Sequence, residues 1–433
     1  MKNAATRGQP RALAEISAMI LGQAPHAVLL SGPGSIGKTT LALDLAAGLL
    51  CRDPNPAERP CRACRSCRQV AGGNHPDLHR LAPEGPGGQV KIGDASNPDP
   101  GTARHLIGEL ALLPAEGGAR VAIVEQAHRL NEDAQNALLK LLEEPPERVT
   151  IVLCADDDEC LLPTVRSRCA RIRLGAVSGR EIEDWLGELG AADAPQAARL
   201  ARLADGRPGL ALAYARSATA ERLRGEIARG VLDMLSARRG VRLASIREMM
   251  KSAAALDAAL AEARRGADTA DSGTGSKRPA GRPLRGRKVA TADVVPAADL
   301  AIETTADPLV SDEPAATKLA ASDRRSAAAT LMEIWAAVAR DVAVAKAGGA
   351  RQLHEISLVD EFRTIAPAVS SASLTGFMSQ LAAVDRQLDE NVNPELALDV
   401  LALAWPHVEP TNTAGDATTP ATTSSATHPS GPR

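Results

Sequence analysis

The chain has 433 residues, a formal net charge of −3 and a hydrophobic fraction of 44%, which predicts a soluble globular protein of about two to four domains. Aromatic residues are scarce, with two Phe, three Trp and one Tyr, so platforms that stack nucleic-acid bases are not expected. No apolar run approaches the roughly 18 residues that a membrane span needs, and Met1-Lys2-Asn3 opens no signal-peptide pattern. We therefore expect a cytoplasmic protein with no membrane partner.

A phosphate-binding loop is the strongest motif. Residues 32–39 read GPGSIGKT and match G-x-x-x-x-G-K-[ST], the P-loop pattern. An apolar strand (27–30) precedes them and an apolar helix (39–50) follows, so backbone N–H groups and a helix N-terminus converge on the anion. ATP with Mg²⁺ is the expected ligand. The predicted contacts from this motif are Gly32, Gly34, Gly37, Lys38, Thr39 and Thr40.

Four cysteines follow the P-loop helix within 17 residues. They lie among Arg, Pro, Asp and Glu, where incidental core cysteines would not cluster. Four Cys thiolates can close a tetrahedron around Zn²⁺ and leave no open position for water, so the spacing predicts a structural zinc module at 51–67. The predicted metal ligands are Cys51, Cys61, Cys64 and Cys67.

Short apolar stretches alternate with helical patterns up to residue 174. This alternation predicts an α/β fold with a parallel, doubly wound sheet that carries the nucleotide at the carboxyl ends of its strands. After the P-loop strand, the predicted strands are 78–81, 121–124, 149–154 and 170–174. The acidic turn at 156–158 is predicted to be a solvated loop rather than a metal site.

Glu125 and Gln126 stand at the carboxyl end of the 121–124 strand. In P-loop ATPases an acidic residue at this place holds Mg²⁺, and a neighbouring Glu commonly activates the attacking water. Glu125 is therefore the predicted metal-side contact, whereas the Gln126 amide cannot accept a proton. Because general-base catalysis contributes about 10²- to 10⁴-fold, hydrolysis at this site is expected to be slow or absent.

The rest of the chain is predicted to be helical, with a capping box at Ser178 to Glu181 opening the first helix. Residues 266–322 are poor in large apolar side chains and are predicted to be a disordered insert, and 409–433 a disordered tail. The insert has a basic stretch that serves either as a solubilising linker or as a contact to DNA phosphates. Its charges are Lys277, Arg278, Arg282, Arg285, Arg287 and Lys288.

Taken in order, the P-loop, the cysteines and two further motifs resemble the clamp-loader ATPases of bacterial DNA polymerase III. These motifs are NALLK at 136–140 with LEEPP at 142–146, and Ser167-Arg168-Cys169. The resemblance implies an AAA+ P-loop domain with its zinc module (1–174), a helical lid (175–220) and an all-α collar (221–408). It also implies the other loader subunits, gamma/tau and delta, in a hetero-pentamer, with the sliding clamp and primer–template DNA as further partners.

Two kinds of subunit in that family are candidates for the closer resemblance. The gamma/tau motor subunits hydrolyse ATP, whereas delta-prime is a mostly rigid stator. His75-Pro76-Asp77, the PAEGG run at 114–118 and the Glu125-Gln126 pair resemble delta-prime. In the lid, Gly209 stands where a motor places its γ-phosphate sensor arginine, and Arg207 comes two residues early.

By this resemblance Arg168 is an arginine finger, presented in trans to ATP on an adjacent motor subunit. The expected function is then a delta-prime-like part of the DNA polymerase III holoenzyme, a nucleotidyltransferase, with weak or absent ATPase activity of its own. An active motor subunit is the first alternative. A P-loop phosphotransferase is the second, but it explains neither the cysteines nor Arg168.

Overall fold

The computed structural model describes residues 1, 3–22, 24–83, 88–94, 96, 98–116, 118–271, 321–389 and 392–408. Within these parts of the chain, none of the helices combines the length and apolar character that crossing a membrane requires. The centre of the predicted insert, 272–320, lies outside the described residues, and so do its basic stretch and the tail from 409.

The amino-terminal part is built on a five-stranded parallel sheet, as the sequence predicted. The spatial order of the strands is β2-β3-β4-β1-β5, so β1 lies between β4 and β5. In chain order the strands are β1 Ala27–Ser31, β2 Leu78–Leu81, β3 Arg120–Val124, β4 Val149–Ala155 and β5 Ala170–Arg173.

Helices cover both faces of this sheet, which is why its central strands are mostly apolar and are buried along their whole length. Alternate residues face opposite sides: Val28 and Leu30 join one apolar cluster with α1 and α2, whereas Ala27 and Leu29 join another with α4 and α5. The helices of this part are α1 Pro10–Leu21, α2 Lys38–Leu49, α3 Arg65–Ala71, α4 Ala103–Leu110, α5 Glu132–Glu143 and α6 Pro163–Arg166.

Residues after 174 are helical in all the described segments that form regular structure. The capping box of Ser178 and Glu181 is present at the start of α7. These helices are α7 Gly179–Glu188, α8 Ala194–Leu203, α9 Pro208–Arg216, α10 Ala218–Asp233, α11 Arg239–Asp271, α12 Ala321–Lys346, α13 Val359–Ile365, α14 Ser371–Asp389 and α15 Pro394–Ala404.

One apolar core runs from Val177 to Trp405, so the predicted lid and collar pack against each other. Three buried rings lie at its centre, with centroids 5.4 Å apart for Trp335 and Phe377 and 4.6 Å apart for Phe377 and Trp405. The buried guanidinium of Arg242 donates to the carbonyls of Trp405 (2.6 Å) and Pro406 (2.9 Å), beyond the end of α15. A continuous core of this kind predicts that lid and collar move little relative to each other.

Candidate functional site

The P-loop connects β1 to α2 at the carboxyl edge of the sheet. In the sheet, β2, β3 and β4 lie on one side of β1 and β5 lies on the other. The strand order therefore reverses at β1, and in such folds ligands bind in the crevice at this point. Gly32 and Gly37 have φ of 144° and 106°. A Cβ on Gly32 would lie 2.5 Å from the Leu174 carbonyl oxygen, so glycine is required there.

Lys38 lies inside this loop with all its protons engaged. Its Nζ donates to the carbonyl oxygens of Gly32 (2.6 Å) and Pro33 (2.7 Å), and lies 2.6 Å from Asp156 Oδ1. The Lys38 side chain is only 8% exposed. Thr39 and Thr40 follow in the first turn of α2. The structure thus brings the predicted phosphate contacts together.

Asp156 lies in the turn at 156–158 that the sequence predicted to be a solvated loop, and its side chain is 47% exposed. Its carboxylate also pairs with Lys38, a contact that the sequence did not indicate. It follows the last residue of β4, and β4 is hydrogen-bonded to β1. The carboxyl ends of the two strands meet, which sets the acid beside the P-loop.

Glu125 is engaged by an arginine from the neighbouring strand. Arg80 on β2 donates from Nε (2.8 Å) and Nη2 (2.6 Å) to the same Glu125 oxygen, Oε1. The pair is partly exposed, at 38% for Arg80 and 21% for Glu125. A guanidinium on this carboxylate competes with Mg²⁺ for it, and Gln126 beside it supplies no base.

The lid places no arginine from α9 on the P-loop. The Gly209 N–H donates to the Ser35 carbonyl (3.0 Å), and a Cβ at Gly209 would come within 2.9 Å of that oxygen. Arg207 turns away and pairs with Glu333 on α12. The predicted loss of a lid arginine agrees with these contacts. A different arginine, Arg264 on α11, donates to Ser35 Oγ (3.0 Å), and no local pattern in the sequence singled it out.

The four predicted cysteine ligands are brought together beyond the carboxyl end of α2. Their Sγ atoms all lie within 4.8 Å of one another, with Cys51 Sγ 3.6 Å from that of Cys61 and 4.0 Å from that of Cys64. Zn–S bonds of about 2.3 Å in a tetrahedron put sulfurs about 3.8 Å apart. The sulfur positions therefore fit a four-coordinate zinc ion.

The surroundings of the cysteines favour the thiolate at Cys64, whereas burial raises the pKa of the Cys51 and Cys67 thiols. Burial raises the pKa of the Cys64 thiol, but hydrogen bonds from backbone groups and neighbouring thiols lower it to about 6. Backbone N–H groups of Cys61 and Cys67 point at the sulfurs of Cys51 and Cys64 (3.4 Å each). A thiolate is the form that binds metal. The donor set is all sulfur and complete, as in structural zinc sites.

Arg168 lies at the opposite edge of the sheet from the P-loop. It precedes β5, whose register with β1 pairs Val28 with Ala170 and runs toward Ser31. Its Nη2 lies 2.6 Å from Glu143 Oε1, and Nη1 donates to the Thr164 carbonyl (2.9 Å). About a third of its side chain is exposed. The intervening sheet separates this guanidinium from the chain's own phosphate loop.

The residues compared with delta-prime are in contact. The Asp77 carboxylate accepts hydrogen bonds from the backbone N–H groups of Ala115 (2.6 Å) and Glu116 (3.1 Å). Arg120 at the start of β3 lies 3.4 Å from the same carboxylate. His75-Pro76-Asp77 and the turn after Pro114 are thus one structural unit at the amino end of β2 and β3.

Comparison with known proteins finds that part of the chain is similar to DNA polymerase III subunits. Residues 8–178 match the profile described as DNA polymerase III, delta subunit. The chain is 36% identical over 164 residues to DNA polymerase III subunit delta-prime of Pseudomonas aeruginosa, covering 38% of this chain and 47% of the relative. It is 35% identical over 205 residues to subunit tau of Escherichia coli, covering 46% and 30%. The chain therefore spans less than half the length of these curated relatives.

Among solved structures, a gamma subunit-related protein of Thermotoga maritima covers 91% of this chain and 98% of its own. The two are 16% identical, with a TM-score of 0.38.

Proposed function

Because the chain belongs to the gamma/tau/delta-prime family of DNA polymerase III clamp-loader subunits, we propose that it acts as a delta-prime-like stator. In this role it binds nucleotide weakly or statically, hydrolyses little of it, and supplies an arginine to the ATP of a neighbouring subunit. The complex it serves loads a sliding clamp onto primed DNA. The subunits it joins are gamma/tau and delta.

The observation that carries this proposal is that the charges needed for ATP hydrolysis are paired within the chain. Lys38 contacts Asp156, and Glu125 contacts Arg80. The neighbouring Gln126 is an amide, and loss of a general base costs about 10²- to 10⁴-fold in rate. Such a pocket retains the P-loop architecture and lacks an available base.

The position of Arg168 supports action in trans. It lies at the amino edge of the sheet, away from its own P-loop, and its guanidinium is partly exposed. A guanidinium that reaches a neighbour's phosphates stabilises transition-state charge there. The unit formed by Asp77 with Ala115 and Glu116 adds to the delta-prime likeness.

A structural zinc ion held by the four cysteines forms part of the proposal. Cys51 directly follows α2, and Arg62 within the module pairs with the fully buried Asp44 of the same helix. Asp44 also accepts the N–H groups of Ala5 (3.0 Å) and Thr6 (2.9 Å). When bound, zinc would cross-link a 17-residue loop that is already fastened to the P-loop helix.

An active motor subunit is the second candidate, favoured by the intact Lys38 and Thr39 and by the match to tau. Purified chain alone distinguishes the two. We expect measurable nucleotide binding that Lys38→Ala abolishes, and hydrolysis at least about 10²-fold slower than that of an assembled loader. Gln126→Glu is the matched variant that restores a base.

Rapid hydrolysis by the isolated wild-type chain, lost in Lys38→Ala, would establish the motor function instead. The stator proposal further expects that the chain assembles with gamma/tau and delta subunits in size-exclusion chromatography. Failure to assemble would count against the clamp-loader role itself.

A further inference from the structure

The contacts of Lys38 restrict what its pocket can accept. A lysine ammonium has three donor protons, and the three nearest acceptors are the carbonyls of Gly32 and Pro33 and the carboxylate of Asp156. A phosphate that binds Lys38 must displace one of these acceptors or share a proton with it. The carboxylate is the only charged group of the three.

Asp156 is held over the loop rather than merely near it. Its Oδ2 lies 3.3 Å from the position that a Cβ on Gly34 would occupy, and its backbone N–H donates to His128 Nδ1 (3.2 Å). A cavity of about 390 Å³ opens here, lined in part by Ser31, Gly32 and Asp156. The carboxylate, 47% exposed, thus lines the space beside the P-loop.

We propose that Asp156 is a specificity-determining residue, which makes this P-loop favour a nucleoside diphosphate over a triphosphate. The inference rests on the proposed binding of nucleotide by this chain. Backbone N–H groups of a P-loop cradle the inner phosphates, whereas the γ-phosphate extends outward and shares the lysine with the β-phosphate. Because Asp156 is 47% exposed, whereas the other two acceptors are backbone carbonyls of the loop, we place Asp156 on the outward side of Lys38.

The electrostatic cost is larger for a triphosphate, because a triphosphate brings a second phosphate group to Lys38. Two oxygens that contact one ammonium nitrogen at about 2.7 Å and at tetrahedral angles lie roughly 4.4 Å apart. At that separation a phosphate oxygen and the Asp156 carboxylate repel, and the γ-phosphate carries the charge that a diphosphate lacks.

The test compares the affinity for ADP with that for a non-hydrolysable ATP analogue, each with Mg²⁺, by isothermal titration calorimetry on the full chain. The wild-type chain is expected to bind ADP more tightly. Asp156→Asn keeps the shape of the side chain and removes its charge. It should raise the affinity for the triphosphate about tenfold more than the affinity for the diphosphate. Asp156→Thr should shift the ratio in the same direction.

Asp157→Asn is the matched control, since it removes an equal charge from the lining of the same cavity, where the Asp157 carboxylate accepts the Glu159 N–H (2.9 Å). We expect that it changes the ratio of the two affinities less than about twofold. Thermal melting of each variant checks that it is folded.

If Asp156→Asn raised the affinities for ADP and for the ATP analogue equally, the proposed discrimination would be overturned. Asp156 would then compete with both nucleotides for Lys38 without distinguishing them. An unchanged ratio would overturn it as well, and the proposed nucleotide site would survive. If neither the wild-type chain nor Asp156→Asn bound either nucleotide, both the inference and the proposed nucleotide site would fail.

Discussion

Replacing Arg168 with alanine should abolish ATP hydrolysis at one site of the assembled complex, the site on the neighbouring subunit that Arg168 serves. An arginine finger is worth about 10³ to 10⁵ in rate, which corresponds to roughly 4 to 7 kcal/mol of transition-state stabilisation. In the isolated chain the guanidinium pairs with Glu143 at 2.6 Å, and the two side chains are 34% and 49% exposed. An ion pair exposed to this degree contributes about 0 to 1 kcal/mol.

The difference between these two energies distinguishes the role of Arg168 from that of Glu143. Release of Arg168 from Glu143 costs at most about 1 kcal/mol, or roughly fivefold, so Glu143→Gln should alter hydrolysis by no more than that. Arg168→Ala should cost far more at the site it serves. The same variant should leave nucleotide binding by this chain unchanged.

Single-turnover ATP hydrolysis by the reconstituted complex, with clamp and primed DNA in excess, is the measurement. Sites that depend on different subunits give separate kinetic phases, so we expect loss of one phase rather than a uniform slowing. Arg171→Ala is the control, since it removes an equal charge from β5, where Arg171 lies 3.8 Å from Asp158. An Arg168→Ala complex that assembles fully and retains every phase would exclude Arg168 from the mechanism.

Two further predictions concern the metal and the collar. The purified chain should contain about one zinc ion per molecule. Chelation should expose the 51–67 loop to proteolysis and lower the free energy of unfolding by roughly 3 kcal/mol, as expected for a loop of this length. Full metal content in Cys64→Ala would contradict the zinc assignment. Arg242→Met should destabilise the chain by about 3 kcal/mol in urea unfolding, because buried carbonyls beyond α15 lose their donor. Arg239→Met, on the exposed side of α11, should change stability by less than about 0.5 kcal/mol, and equal losses in the two variants would refute the capping role.

The sequence predicted the sheet and the cysteine cluster because both depend on local pattern. Buried parallel strands are short apolar runs, and each one lies where its run predicted. The four sulfurs are close in space because the cysteines are close in the chain. The absence of a lid arginine at Gly209 was likewise visible from the residue itself, since glycine has no side chain to offer.

The charge pairs could not be predicted, because each depends on which strands are neighbours. Lys38 and Asp156 are 118 positions apart in the sequence, and only the adjacency of β1 and β4 brings them together. Arg80 reaches Glu125 because β2 lies beside β3. Alternation of strands and helices predicts a parallel sheet and leaves the order of its strands open.

The two edges of the sheet differ in how readily their charges can be transferred to a ligand. At the carboxyl edge Lys38 is 8% exposed and has three acceptors, of which two are backbone carbonyls of the loop and the third, Asp156, is 47% exposed. At the amino edge Arg168 has one carboxylate partner that is itself half-exposed, and water replaces that contact at little cost. The Arg168 guanidinium can therefore be transferred to a ligand more readily than the Lys38 ammonium. This difference supports the proposed action on a neighbouring subunit.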